Sequence, residues 1–175
     1  LLTPAEIRSL VLAELAIQPS SIVWDVGAGS GSVSLEAARL AHSGETFAIE
    51  MDPDDHQLIT ENAERFQVHN LRAVLGQAPE AWADLPDPDA IYVGGSGRHV
   101  AMLVEEGWKR LKPGGRLVTS CNSIENLSAV YTFLRTQSND ASYWMVNIAR
   151  GIEQMDRIRF EAINPVFLMA ATKPL

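Results

Sequence analysis

The chain has 175 residues, 46% of them hydrophobic and 21% charged, with 22 acidic against 14 basic side chains and a formal net charge of −8. That is the size and make-up of one folded domain with a real hydrophobic core, which excludes a disordered chain, while the acidic balance excludes a general nucleic-acid binder, whose footprint is basic. The one cysteine, Cys121, cannot close an internal disulfide and suits a reducing cytoplasm, and no apolar run is long enough to cross a bilayer.

Thr3-Pro4-Ala5-Glu6 has the pattern of a helix start: threonine to cap, proline preformed for the first turn, glutamate three residues after the cap to complete a capping box. Ile7, Leu10, Val11 and Leu15 follow at helical spacing and predict a helix to about residue 17. Ile22–Val26, a short apolar run ending in glycines, reads as a buried parallel strand. A helix over 32–41 and a strand over 46–50 come next. Asp52-Pro53, a cap followed by proline, starts a helix reaching about residue 66. Leu71–Leu75 and Ala90–Val93 read as the third and fourth strands. A helix over 98–111 stops at Lys112-Pro113-Gly114-Gly115, where proline and two glycines cannot continue it; a strand over 116–120 and a helix over 124–135 follow. The end of the chain changes character. Segments 143–149 and 158–172 read as two strands, and 151–157 between them is too short for a crossover helix, so they pair antiparallel. No repeat or Gly/Ser linker divides the chain. A single domain over 1–175 is expected, α/β in class: a Rossmann-like, doubly wound, mostly parallel seven-stranded sheet with a C-terminal antiparallel hairpin.

Asp25-Val26-Gly27-Ala28-Gly29-Ser30-Gly31 lies between the first strand and its helix, and alternating glycines let the backbone turn tightly against a ligand. A dinucleotide fingerprint would place glycines at 27, 29 and 32, but position 32 is serine; a Gly-Lys-Ser/Thr phosphate loop is absent. Asp25, directly ahead of the loop, suits a cationic group better than a phosphate. Glu50 ends the second strand, 23 residues after Gly27, where a carboxylate can accept both hydroxyls of a ribose. Gly76-Gln77-Ala78 after the third strand stands where a backbone NH and a side chain border an adenine edge. This ordered set describes a pocket for a cationic, adenosine-bearing molecule, and S-adenosylmethionine fits that description.

With Asp-x-Gly-x-Gly-x-Gly and the acidic end of the second strand, the chain resembles Class I methyltransferases. Further stretches resemble the precorrin-6B methyltransferase family of cobalamin biosynthesis: Leu2-Thr3-Pro4-Ala5-Glu6-Ile7-Arg8, Gly31-Ser32-Val33-Ser34-Leu35-Glu36-Ala37-Ala38, Gly76-Gln77-Ala78-Pro79-Glu80-Ala81, and Ala90-Ile91-Tyr92-Val93-Gly94-Gly95-Ser96. So do Leu111-Lys112-Pro113-Gly114-Gly115-Arg116-Leu117-Val118, Val146-Asn147-Ile148-Ala149-Arg150-Gly151 and Asn164-Pro165-Val166-Phe167. The resemblance spans nearly the whole chain and implies methylation of carbon 15 of a precorrin tetrapyrrole with decarboxylation of the ring C acetate. It also implies that Thr3 and residues 27–31 contact the donor's methionine part, that Glu50 holds the ribose, and that Ala78 meets the adenine through its backbone. A homotetramer is implied as well, and in some relatives a fusion behind a second methyltransferase acting at carbon 5; a chain whose first residue is Leu1 is compatible with such a fusion.

Methyl transfer from a sulfonium is an in-line displacement in which alignment is the protein's main task, so positioning residues are expected rather than a catalytic triad. A polycarboxylate substrate calls for arginines: Arg98, Arg150, Arg157 and Arg159 are the candidates. Gly94 and Gly95 would leave room for a large flat ring, and Asn147 would orient polar groups. The histidines show no metal-ligand spacing and no metal is expected; His99, after the Gly-Gly-Ser stretch, is the candidate proton carrier. Residues 1–90 carry 4 basic and 15 acidic side chains, and residues 91–175 carry 10 and 7, so the half facing the anionic substrate is the basic one. The competing readings are a Class I methyltransferase for RNA or protein, and a non-catalytic module that binds the methyl donor.

Overall fold

The structure, a computed structural model, describes residues 3–94 and 97–175. Helix α1 (Ala5–Leu15) leads into the alternation β1 (Ile22–Val26), α2 (Ser32–Leu40), β2 (Glu45–Glu50), α3 (Pro53–Arg65), β3 (Leu71–Leu75), β4 (Ala90–Val93), α4 (Val100–Arg110), β5 (Arg116–Cys121) and α5 (Ile124–Gln137). Four strands complete the chain: β6 (Ser142–Val146), β7 (Ala149–Gln154), β8 (Arg157–Ala162) and β9 (Val166–Thr172). The main sheet has seven strands in the order β3-β2-β1-β4-β5-β9-β6, the first five parallel and β9 antiparallel to both of its neighbours.

Strands β1 and β4 are apolar along almost their whole length because the sheet centre is covered on both sides. Trp24, Val26, Ile91 and Val93 enter the core with α4 and α5 residues such as Val104 and Leu134, and Val23, Ala90 and Tyr92 enter the other with Ile7, Val11 and Ala37. Right-handed crossovers run one way from β1 to β3 and the other way from β4 to β5, which puts α2 and α3 on one face and α4 and α5 on the opposite one. The strand order therefore reverses between β1 and β4, and a crevice opens there at the C-terminal ends of the strands.

Two sequence expectations are corrected. The N-cap of α1 is Pro4, without a side-chain cap bond, so no capping box forms; Glu6 turns outward to Arg150 instead, and the helix ends at Leu15 with Ala16 left-handed. The C-terminal pair also divides differently. β6 pairs with β9, Ser142 opposite Ala170 and Val146 opposite Val166, inside the main sheet. The chain between them, expected to be a connection over 151–157, is itself the hairpin β7–β8 in a separate two-stranded sheet. Met155 and Asp156 make its turn, both at positive φ (48° and 59°), the geometry that matches strand twist in a two-residue hairpin.

Candidate functional site: a cleft at the strand-order reversal

The glycine loop follows β1 directly. Gly27, Gly29 and Gly31 all have positive φ (75°, 53° and 79°), a conformation costly for other residues, and this explains why glycine recurs at alternate positions. The amides of Gly27 and Ala28 donate to the Ile49 carbonyl at 3.0 and 3.2 Å, and the Asn62 side chain reaches the Ser30 carbonyl from α3 at 3.0 Å. The loop is thus stitched to β2 on one side and α3 on the other.

Glu50, at the end of β2, is 9% exposed. One carboxylate oxygen accepts from the Gly29 amide at 2.8 Å; the other accepts from the amides of Met51 and Asp52 at 2.8 and 2.9 Å. Three of roughly four acceptor positions of a carboxylate are therefore used to hold the loop and the start of α3, leaving about one for a ligand hydroxyl. Glu50 shares a cleft of about 130 Å³ with Val26, Gly27, Ile49, Met51, Gly76, Gln77, Ala78, His99 and Leu103. The sequence candidates Gly27, Glu50, Gln77 and Ala78 come together here. His99, the candidate proton carrier, also lines this cleft. Met51 and Leu103 were not singled out from the sequence, although Met51 adjoins Glu50 and Leu103 lies one helical turn beyond His99.

Asp25 is not among the cleft-lining residues. It is 1% exposed, it accepts a short hydrogen bond from the Ser34 hydroxyl of α2, and its other oxygen has no partner among the described residues. Burial pushes its carboxyl up to about 6; the Ser34 bonds oppose that rise, and the Glu50 charge adds to it. Gly94 is corrected too: a Cβ there would lie 2.5 Å from the Tyr92 hydroxyl oxygen, so the missing side chain makes room for Tyr92 rather than for a ligand ring. Gly95 lies outside the described residues.

Thr3 is half-buried ahead of α1, and the Tyr92 hydroxyl sits 2.7 Å from the Ser120 hydroxyl. Arg98 is exposed in a single 3₁₀ turn (Gly97–His99) that Asn126 of α5 holds through the Gly97 carbonyl at 2.9 Å. Asn147 is exposed between β6 and β7. Arg150, Arg157 and Arg159 all lie on the hairpin. The register Arg150↔Glu161, Ile152↔Arg159, Gln154↔Arg157 puts the three arginines on one face of it. The other face carries Ile158 and Phe160, each 70% exposed, around Gly151. Arg150 is bound to Glu6 of α1 at 2.9 Å, and Arg159 to Glu161 of its own ribbon. A larger groove of about 430 Å³ lies between α3 and β3, lined by His56, Glu64 and His69 over Ile59, Ala63 and Val68, but it shares no residue with the glycine loop. Among the described residues no cluster of three or more His, Cys, Asp or Glu could hold a metal ion.

The family model of the precorrin methyltransferase domain matches residues 1–173. The cobalt-precorrin-6B C(15)-methyltransferase (decarboxylating) of Salmonella typhimurium is 38% identical over 176 residues, spanning 98% of this chain and 89% of the relative. The precorrin-6Y C(5,15)-methyltransferase (decarboxylating) of a Sinorhizobium species is 40% identical over 119 residues, 68% of this chain and 29% of that longer protein. The crystal structure of precorrin-6Y C5,15-methyltransferase from Geobacter metallireducens superposes with a TM-score of 0.91 at 35% identity, covering 99% of this chain and 92% of that one.

Proposed function

The chain belongs to the precorrin methyltransferase domain family, and on that premise we propose that it transfers a methyl group from S-adenosylmethionine to carbon 15 of a precorrin tetrapyrrole and removes the carboxyl group of the ring C acetate, a step of cobalamin biosynthesis. The observation that carries this reading is the cleft at the strand-order reversal, where the glycine loop, Glu50 and the Gln77-Ala78 segment border one space.

The residues present fit the methyl donor. Gly27 of the positive-φ loop borders the cleft, Glu50 keeps an acceptor position for a ribose hydroxyl, and Asp25 and Glu50 make the surroundings negative. S-adenosylmethionine supplies the methyl group as an activated sulfonium substituent. Residues 27–31, with Thr3, would hold its methionine part, and Gln77 and Ala78 its adenine. The protein contributes alignment of the accepting carbon.

The substrate's carboxylates fall to the hairpin arginines, with Arg98 and Asn147 at the margin. The Arg150–Glu6 pair is exposed and screened by solvent, so a substrate carboxylate can take Glu6's place at little cost. A homotetramer is part of the same reading: an isolated two-stranded hairpin is marginal in water, and the exposed Ile158–Phe160 face gains by packing against other copies. A carbon-5 methyltransferase domain on the N-terminal side accords with the Sinorhizobium relative, of which this chain spans 29%. The free, buried Cys121 accords with a cytoplasmic location. Isothermal titration with S-adenosylmethionine tests the donor site directly: saturable one-site binding supports the reading, and no heat at millimolar donor refutes it.

A further inference from the structure

Decarboxylation raises a requirement that methyl transfer does not: the acetate methylene carbon, once its carboxyl group has left, must take up a proton. Two hydroxyls meet at the C-terminal ends of β4 and β5. Tyr92 is 3% exposed, with its hydroxyl 2.7 Å from the Oγ of half-buried Ser120. Gly94 is shaped for this arrangement, because any β-carbon there would collide with the Tyr92 hydroxyl and ring at 2.5–2.7 Å. A tyrosine that needs only to fill the core does not require a neighbouring glycine to clear its polar end.

These hydroxyls lie between two parts of the site. Arg150 of the hairpin holds Glu6 of α1, α1 packs Ile7 and Val11 into one cluster with Tyr92, and Tyr92 stands opposite Asp25 in the sheet, two residues before the glycine loop. Of the two hydroxyls, that of half-buried Ser120 is the one open to a substrate, since Tyr92 is 3% exposed. The hydroxyls are also the right chemistry. An arginine on the departing carboxylate would stabilise the ground state and slow its loss, whereas neutral hydroxyls hold it weakly and still donate protons. Burial pushes the Tyr92 phenol up to about 12, opposed by the Ser120 bond and reinforced by the Asp25 charge, so it keeps its proton at neutral pH.

We propose that Ser120 delivers the proton to the acetate methylene carbon, with Tyr92 as the positioning residue that holds Ser120 and restores its proton; this rests on the function proposed above. The bond between the methylene and carboxyl carbons breaks, carbon dioxide leaves, and the electron pair passes into the conjugated macrocycle. The pair returns to the methylene carbon as it takes the Ser120 proton, Ser120 takes the proton of Tyr92, and solvent water reprotonates the hydroxyl pair after the product leaves. One proton is consumed from solvent and no redox partner is needed.

The test is single-turnover reaction of the whole protein with precorrin-6B and S-adenosylmethionine, following carbon dioxide release and methyl incorporation separately by mass spectrometry. Ser120→Ala and Tyr92→Phe are expected to slow decarboxylation about 100-fold, with Ser120→Thr restoring it and donor affinity by calorimetry unchanged. Decarboxylation within about threefold of wild type in Ser120→Ala, a parallel loss of donor affinity, or no recovery with threonine overturns the proposal. A wild-type protein that neither methylates nor decarboxylates precorrin-6B instead overturns the function on which it rests.

Discussion

Replacing Asp25 with asparagine isolates the cost of a charge buried beneath the glycine loop. The carboxyl moves from an ordinary value of 3.8 to about 6 on folding, because burial outweighs the Ser34 hydrogen bonds. A raised acid binds its proton more tightly in the folded state, so its contribution to stability is fully present below pH 3.8 and is lost as pH rises through about 6. Two pK units at 1.36 kcal/mol each make ionised Asp25 a burden of about 3 kcal/mol at pH 8. Asparagine removes the charge at every pH but adds an amide whose buried NH2 costs about 1–3 kcal/mol if it finds no acceptor. That fixed cost cancels when one variant is compared at two pH values. At pH 4, just above 3.8, a little of that burden is already present, so urea denaturation without the donor at pH 4 and pH 8 should show Asp25→Asn gaining about 2 kcal/mol relative to wild type between the two. A difference that stays constant within about 0.5 kcal/mol would refute the assignment of Asp25 as a desolvated carboxylate.

Glu50→Ala removes an acceptor for a ribose hydroxyl and the anchor of three backbone amides, and calorimetry should record donor affinity about 10–100-fold weaker; unchanged affinity contradicts the ribose role. Gly94→Ala forces Tyr92 aside, and thermal or urea unfolding should show a loss of about 1–3 kcal/mol; wild-type stability would mean that the close approach is unimportant. Phe160→Glu on the hairpin's apolar face should reduce the particle mass seen by sedimentation while the monomer fold, followed by circular dichroism, persists; an assembly of the same mass contradicts that interface.

The central sheet was readable because β1 and β4 are short apolar runs closed by glycine, a pattern that only two-sided burial produces. The positions of Gly27, Glu50, Gln77 and Ala78 followed from that alternation, since each stands at or just after the C-terminal end of a parallel strand. The rest depends on partners remote in sequence. Glu6 sits where a capping box wants it, yet its carboxylate is taken by Arg150, 144 residues away. The β7–β8 ribbon escaped notice because every residue in it is exposed, so no buried alternation marks its strands, and its turn uses Met155-Asp156 instead of an Asn-Gly signal. Gly94 resembled a space for ligand because the sequence does not show that Tyr92, two residues earlier, points its hydroxyl back at it. Asp25 resembled a cleft residue because Val26 and Gly27 after it are; one residue earlier in the strand, the alternation turns its side chain towards α2.

The most direct test of the account is the mass of the tetrapyrrole after precorrin-6B is incubated with the protein and S-adenosylmethionine carrying an isotopically labelled methyl group. The account predicts a product that has gained one labelled methyl group at carbon 15 and lost one carbon dioxide. An unchanged substrate mass, in a sample shown by calorimetry to bind the donor, would contradict it.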